Sequence, residues 1–236
     1  MNDTCRALAL LLGYPDARLR EWLPQLGGFF AADRSLGAVA REALAALIVE
    51  LHDGESYEVE ANYVECFDRG RSTSLLLFEH VHGDSRERGQ AMIDLLATYE
   101  SAGLRLAPGQ LPDYLPVVLE FASTQPPKVA REFLAELSQV INRLYQALAA
   151  RRSRYAAVIA AVLELGGERV RPAPLPPEEP LDEAWAEPPA FDGCSIRGQA
   201  RPDGTQPIHL VRRQADVESA RGTRLQAAPL RQGVAR

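Results

Sequence analysis

The chain has 236 residues, 46% of them hydrophobic and 25% charged, with a formal net charge of -6. No stretch approaches the ~18 consecutive apolar residues of a bilayer-spanning helix, so stable membrane insertion is not expected. The acidic balance argues against nucleic acid as a partner, and Met1-Asn2-Asp3 opens with an acid where a signal peptide needs a basic region, which points to the cytoplasm.

Three cysteines (Cys5, Cys66 and Cys194) are far apart and form no C-x-x-C pair, so a zinc ribbon, an iron-sulfur motif or a disulfide framework has little support. Along the chain the apolar residues recur at helical period. Short helices are predicted near residues 4–12 and 16–26. Leu36, Val39, Ala43, Leu44, Leu47, Ile48 and Leu51 trace one face of a third, with Asp53-Gly54 as its stop. Further short helices fit residues 57–68 and 74–81. Met92, Leu95, Leu96 and Tyr99 follow a possible N-cap at Ser85 and precede a stop at Gly103.

A helix near 113–123 leads to Pro126-Pro127, a sharp entry to the longest stripe, which runs from Val129 to Leu148. Tyr155, Val158, Ile159, Val162 and Leu163 form a last face that ends at Gly166-Gly167. Alternating β-branched runs and hairpin signals are nearly absent. The expected fold is all-α: a single bundle-like domain of about eight or nine helices over residues 1–170.

Residues 171–236 read differently. Ten of the 17 prolines lie between 172 and 236, where Trp185 and Phe191 are the only aromatic rings besides His209. A segment so poor in large apolar groups cannot offset its ordering entropy, so a mostly disordered tail is expected. Its charge is divided: residues 172–196 carry six acids and no Arg or Lys, while residues 197–236 carry eight Arg and three acids.

The densest chemistry lies where an apolar run meets ionisable residues. Glu79, His80, His82, Asp84, Arg86, Glu87 and Arg88 fall within ten positions, next to Gly83 and Ser85. Such a polar knot is either a structural hydrogen-bond hub or a recognition surface. His80, His82 and Asp84 also offer metal-ligand types, and a helical metal-dependent hydrolase using them is the competing reading. However, i, i+2 histidines point to different sides of a helix, unlike the i, i+4 pair of a helical zinc site. No catalytic constellation, nucleophile elbow or phosphate-cradling glycine loop is present, so neither enzyme activity nor a bound cofactor is expected. A second group sets aromatics beside acids: Tyr63, Phe67 and Asp68, then Asp113, Tyr114, Glu120 and Phe121. Aromatic pockets with flanking charge suit a groove for an amphipathic peptide; the plainer alternative is core aromatics beside solvated acids.

Several of these stretches resemble one family. Leu11-Leu12-Gly13-Tyr14-Pro15, Tyr63-Val64-x-x-Phe67-Asp68, the block from Ser74 to Met92, and Leu111-Pro112-Asp113-Tyr114-Leu115-Pro116-x-x-Leu119-Glu120-Phe121 are similar to the NarJ-type assembly chaperones of respiratory nitrate reductase. The resemblance covers roughly residues 4–165 and leaves the tail unmatched. It implies a non-enzymatic cytoplasmic chaperone that is not part of the mature enzyme. Its expected partner is the immature catalytic subunit, held notably by its N-terminal segment until molybdenum cofactor is inserted and before membrane attachment. On this chain the family's polar signature falls on Glu79, His80, His82, Asp84, Arg86 and Arg88, and the groove candidates fall on Tyr63, Phe67, Tyr114 and Glu120.

Overall fold

A computed structural model describes residues 1–69, 71–82 and 86–172, with the side chains of His82 and Arg86 outside that description. The chain divides into a unit Met1–Ala186, which holds every described residue, and a unit Glu187–Arg236 beyond them. Apart from Arg171 and Pro172, the tail expected over 171–236 lies outside the described residues.

Ten α-helices and no strand occur among the described residues: α1 (Asn2–Leu11), α2 (Ala17–Ala32), α3 (Ala38–Asp53), α4 (Ser56–Phe67), α5 (Glu79–His82), α6 (Arg86–Ser101), α7 (Leu115–Thr124), α8 (Pro127–Glu136), α9 (Ser138–Ala150) and α10 (Ala156–Leu165). None is long and apolar enough to cross a membrane. The all-α expectation agrees, and several boundaries were legible for physical reasons. Asp16 caps α2 by accepting the Leu19 N–H at 2.8 Å. Pro127 opens α8, where its missing N–H costs nothing.

Two of the differing boundaries lie outside the polar knot. The stripe from Val129 to Leu148 is two helices, separated by a turn at Leu137 with φ -84°, ψ -2°. Apolar residues continue through the break, so periodicity alone does not disclose it. The second helix, expected near 16–26, runs on to Ala32 through Pro24 and Gly27-Gly28. Its Leu19, Leu23, Leu26 and Phe30 keep one buried face in register, and burial outweighs the weak helix propensity of the intervening residues.

α10 lies at the centre. Val158, Ile159, Ala161, Val162 and Leu163 are all buried, so it is apolar around most of its circumference, as an internal helix must be. α9 and α3 pack on it, α1 packs along α7, and α2 pairs with α3. The α10 C-terminus closes in a Schellman motif, with the Gly167 N–H bonded to Glu164 O at 2.9 Å and the Glu168 N–H to Leu163 O at 2.9 Å. Gly167 has φ +82°, and a Cβ there would lie 2.7 Å from the Arg131 guanidinium. Gly167→Ala is expected to destabilise the protein by about 1–2 kcal/mol through left-handed strain, with Arg131 displaced besides. Urea titration will check this; an unchanged midpoint refutes it.

Candidate functional site

The segment after α4 enters a single 3-10 turn over Arg71–Thr73 and then straightens. The sequence suggested a helix over 74–81; only Glu79–His82 is α-helical, and residues 74–76 run into an isolated bridge. Leu77 and Phe78 form a turn that leads into α5, with the Glu79 N–H bonded to Leu76 O at 3.2 Å and the His80 N–H to Leu77 O at 3.3 Å. Leu75 and Leu77 are buried, whereas Leu76 and Phe78 are half-buried, so Leu75 and Leu77 face the core on either side of the bridge residue. Residues 113–115 act as its partner. The Leu77 N–H donates to Asp113 O at 3.0 Å and the Leu115 N–H to Leu75 O at 2.9 Å, forming an isolated antiparallel bridge between Leu76 and Tyr114. These long-range bonds take backbone groups that a local helix would have used, and α7 accordingly starts at Leu115 rather than 113.

Asp113 organises the junction. It is fully buried, and its Oδ2 accepts the Phe78 N–H at 3.1 Å. Burial pushes its carboxyl above the usual range, opposed by the Phe78 hydrogen bond and by the Arg88 charge. Its Oδ1 has no hydrogen-bond partner, nor has the buried Nε of Arg88. Arg88 instead reaches Glu79, with Nη2 3.4 Å from Oε1, both side chains being about a quarter exposed. A buried polar atom left unpaired costs about 1–3 kcal/mol, so this junction is not in its best-satisfied arrangement.

His80 is tied into the same junction. Its Nε2 lies 2.7 Å from Ser74 O. A carbonyl only accepts, so Nε2 carries the proton. Burial lowers the pKa of the ring, which keeps it neutral at pH 7. Arg143, on α9, donates to His80 O at 3.3 Å. The polar knot thus joins α5, α6, α9 and the bridge before α7. Of the sequence-selected set, Glu79, His80 and Arg88 meet here; Asp84 and the side chains of His82 and Arg86 lie outside the described residues. No group of three potential metal ligands occurs among the described residues, and the His80–His82–Asp84 set extends beyond them.

The aromatic candidates separate into two populations. Tyr63 and Phe67 are 5% exposed and belong to the main core. Their rings pack at 4.9 Å, and Tyr155 lies 5.9 Å from Tyr63 and 4.9 Å from Phe67. The Tyr63 hydroxyl donates to Leu12 O at 2.8 Å. Tyr114 is half-buried between this core and a satellite cluster, and Glu120 is exposed on α7. The satellite cluster consists of Leu95 and Tyr99 from α6 with Val117 and Phe121 from α7, bordered by Phe78, Leu104, Leu106, Tyr114 and Phe133. Tyr99 stacks on Phe121 at 4.5 Å, and Phe121 meets Phe133 at 5.0 Å. Sequence reasoning found Phe121 but passed over Tyr99, Phe133 and Arg143. The first two lay within core-like stripes, and no local signal brings Arg143 to His80 across 63 positions.

Comparison with known proteins places this arrangement. The family model described as "Nitrate reductase delta subunit" matches residues 32–161, which includes the knot and α7. The chain belongs to the nitrate reductase delta subunit family. Within it, the chain is 42% identical over 160 residues to the nitrate reductase molybdenum cofactor assembly chaperone NarJ of Escherichia coli (strain K12), covering 68% of each protein. It is 40% identical over 164 residues to the probable assembly chaperone NarW of the same strain, covering 69% of this chain and 67% of NarW. It is 33% identical over 171 residues to the probable assembly chaperone NarJ of Bacillus subtilis (strain 168), covering 69% of this chain and 90% of that protein. The relatives are assembly chaperones rather than catalysts, and the chain is accordingly of the NarJ type and not an enzyme. The hydrolase alternative is set aside on that ground.

Proposed function

We propose that the chain is the assembly chaperone of a respiratory nitrate reductase. It binds the immature catalytic subunit, including its N-terminal segment, and holds it for molybdenum cofactor insertion before membrane attachment, working in the cytoplasm. The observation that carries this reading is the family match over residues 32–161 together with 42% identity to a named chaperone of that enzyme. The chemistry required is binding alone, so a helical body with an acid-bordered aromatic face suffices.

Within this reading Glu79, His80 and Arg88 order the binding region from the knot, with His82, Asp84 and Arg86 next to them in sequence. Tyr114 and Glu120 supply an apolar and an acidic contact. Tyr63 and Phe67 support the region from the core beneath Tyr114. Exposed acids favour a basic client by speeding encounter and rejecting acidic competitors.

Calorimetry with a synthetic N-terminal peptide of the cognate catalytic subunit tests the proposal. Saturable heat is expected, with affinity falling as salt rises from low to physiological strength. The absence of both heat and amide chemical-shift changes at high micromolar peptide refutes N-terminal recognition. A pull-down in which the catalytic subunit fails to associate with the full chain refutes the chaperone reading itself.

A further inference from the structure

α6 is held differently from the rest of the helical body. Of its described side chains only Leu95 and Tyr99 are buried, against eight residues of the shorter α7. Both sit in the satellite cluster, not the main core. Polar contacts add to them, among them the Tyr99 hydroxyl, which donates to Pro112 O at 2.8 Å, and Arg88, which pairs with Glu79. On its outward side Ile93 is 62% exposed. Elements with few buried apolar contacts are the ones that open at low free energy.

What α6 covers is apolar and aromatic: Val117 and Phe121 of α7, with Phe78, Tyr114 and Phe133 at the border. Beside it lies Asp113, fully buried with one carboxylate oxygen unpaired, and facing the charge of an Arg88 whose Nε is also unpaired. α6 therefore fills this face without satisfying its polar end. We propose that α6 is a displaceable cover, and that the α7 face beneath it docks a basic amphipathic helix of the client subunit. This rests on the chaperone reading above and names the surface and the ligand pattern.

α6 itself is the template for that ligand. It presents a cation at Arg88, then large apolar side chains at Leu95 and Tyr99, which are i, i+7 and i, i+11. The two anchors are one turn apart on a helix face, and the cation precedes them by two turns. A client helix with this spacing would place its anchors on Val117 and Phe121 and its cation at Glu79 and Asp113. When α6 leaves, Arg88 leaves with it, so both carboxylates become available to the client's cation. Exposed Glu120 and Glu136, on α7 and α8, stay in place and complement further basic residues. Displacing α6 lowers the apparent affinity by the fraction of molecules already open. Loosening α6 should consequently tighten binding, the opposite of what loss of a structural element does.

The test uses the full chain, hydrogen exchange and the same N-terminal client peptide. In the free protein, α6 amides are expected to exchange at least ~100-fold faster than those of α7. Tyr99→Phe, which removes only the hook to Pro112, should tighten the peptide by about 3-fold, and Leu95→Ala by about 5-fold or more. Phe121→Ala should weaken it. Matching exchange of α6 and α7 overturns the cover. Unchanged or weaker binding by Tyr99→Phe with intact circular dichroism overturns it too, even if Leu95→Ala does not fold. A dimer of Leu95→Ala in light scattering identifies a second copy's α6 as the occupant and overturns the client version. If the wild-type chain binds no peptide, N-terminal recognition fails on its own, and the exchange ratio still decides whether α6 opens.

Discussion

Replacing Tyr63 by alanine is expected to lower the free energy of unfolding by about 3–5 kcal/mol, the cost of deleting a buried aromatic side chain. Tyr63 is 5% exposed and touches both Phe67 and Tyr155, so its removal leaves a cavity that two rings cannot fill without leaving their rotamers. The hydroxyl is a separate contribution. Tyr63→Phe keeps the ring and leaves Leu12 O without its donor, which should cost about 1–2 kcal/mol. Equilibrium urea unfolding of both variants measures the two effects. The functional consequence is specific: peptide affinity of Tyr63→Ala should fall only where the folded fraction falls. A variant with wild-type stability and weakened peptide binding would show that Tyr63 contacts the client directly, against its place in the core.

The second large effect is expected at Asp113. Asp113→Ala removes the acceptor of the Phe78 N–H and the support of the bridge, and should destabilise the protein by about 1–3 kcal/mol. Asp113→Asn keeps an acceptor of the same shape and removes the buried charge. The sign of its pH dependence follows from the raised carboxyl pKa. Near pH 3 the group is protonated in both folded and unfolded chains and carries no ionisation penalty. As pH rises from the unfolded value of about 3.9 through the higher folded value, the unfolded chain ionises first, and stability is lost. Above the folded value the penalty is complete. Asp113→Asn should therefore gain on the wild type as pH rises from 3 to 7, seen as converging or crossing unfolding midpoints. A wild-type advantage that grows with pH would mean that the Arg88 charge outweighs burial. Because Arg88 belongs to α6, that result would also describe a firmer closure of the cover than its unpaired Nε indicates.

The Asp113 result bears on how the knot works. The junction is held through backbone groups as much as through side chains: His80 bonds Ser74 O, Arg143 bonds His80 O, and Asp113 bonds the Phe78 N–H. A hub of this kind holds a bridge and a turn where four consecutive apolar residues, Leu75 to Phe78, favour a helix or a strand equally. The proposed peptide-binding face next to it then inherits its geometry from the bridge.

Helical class, and most helix starts and stops, were readable from the chain because they depend on local chemistry. Gly54 as a stop, Pro127 at a first turn and Gly166-Gly167 as a terminator act within a few residues of themselves. The polar cluster from Glu79 to Arg88 stood out because ionisable groups crowd behind an apolar run. Three matters were settled only by tertiary contacts. Residues 74–78 make a bridge and a turn instead of a helix since Asp113 and Leu115, 35 or more positions away, take part of their hydrogen bonding. The long stripe divides at Leu137, where the end of α8 meets the backbone of Gly166, whose added Cβ would sit 3.3 Å from Ala135 N and from Leu134 C. Tyr63 and Phe67 lie in the main core, whereas Tyr99 of α6 and Phe121 of α7 form the satellite cluster, although all four read alike as aromatics on amphipathic helices. Periodicity reports that a face is buried; which neighbour buries it, and how firmly, depends on the packing of segments distant along the chain.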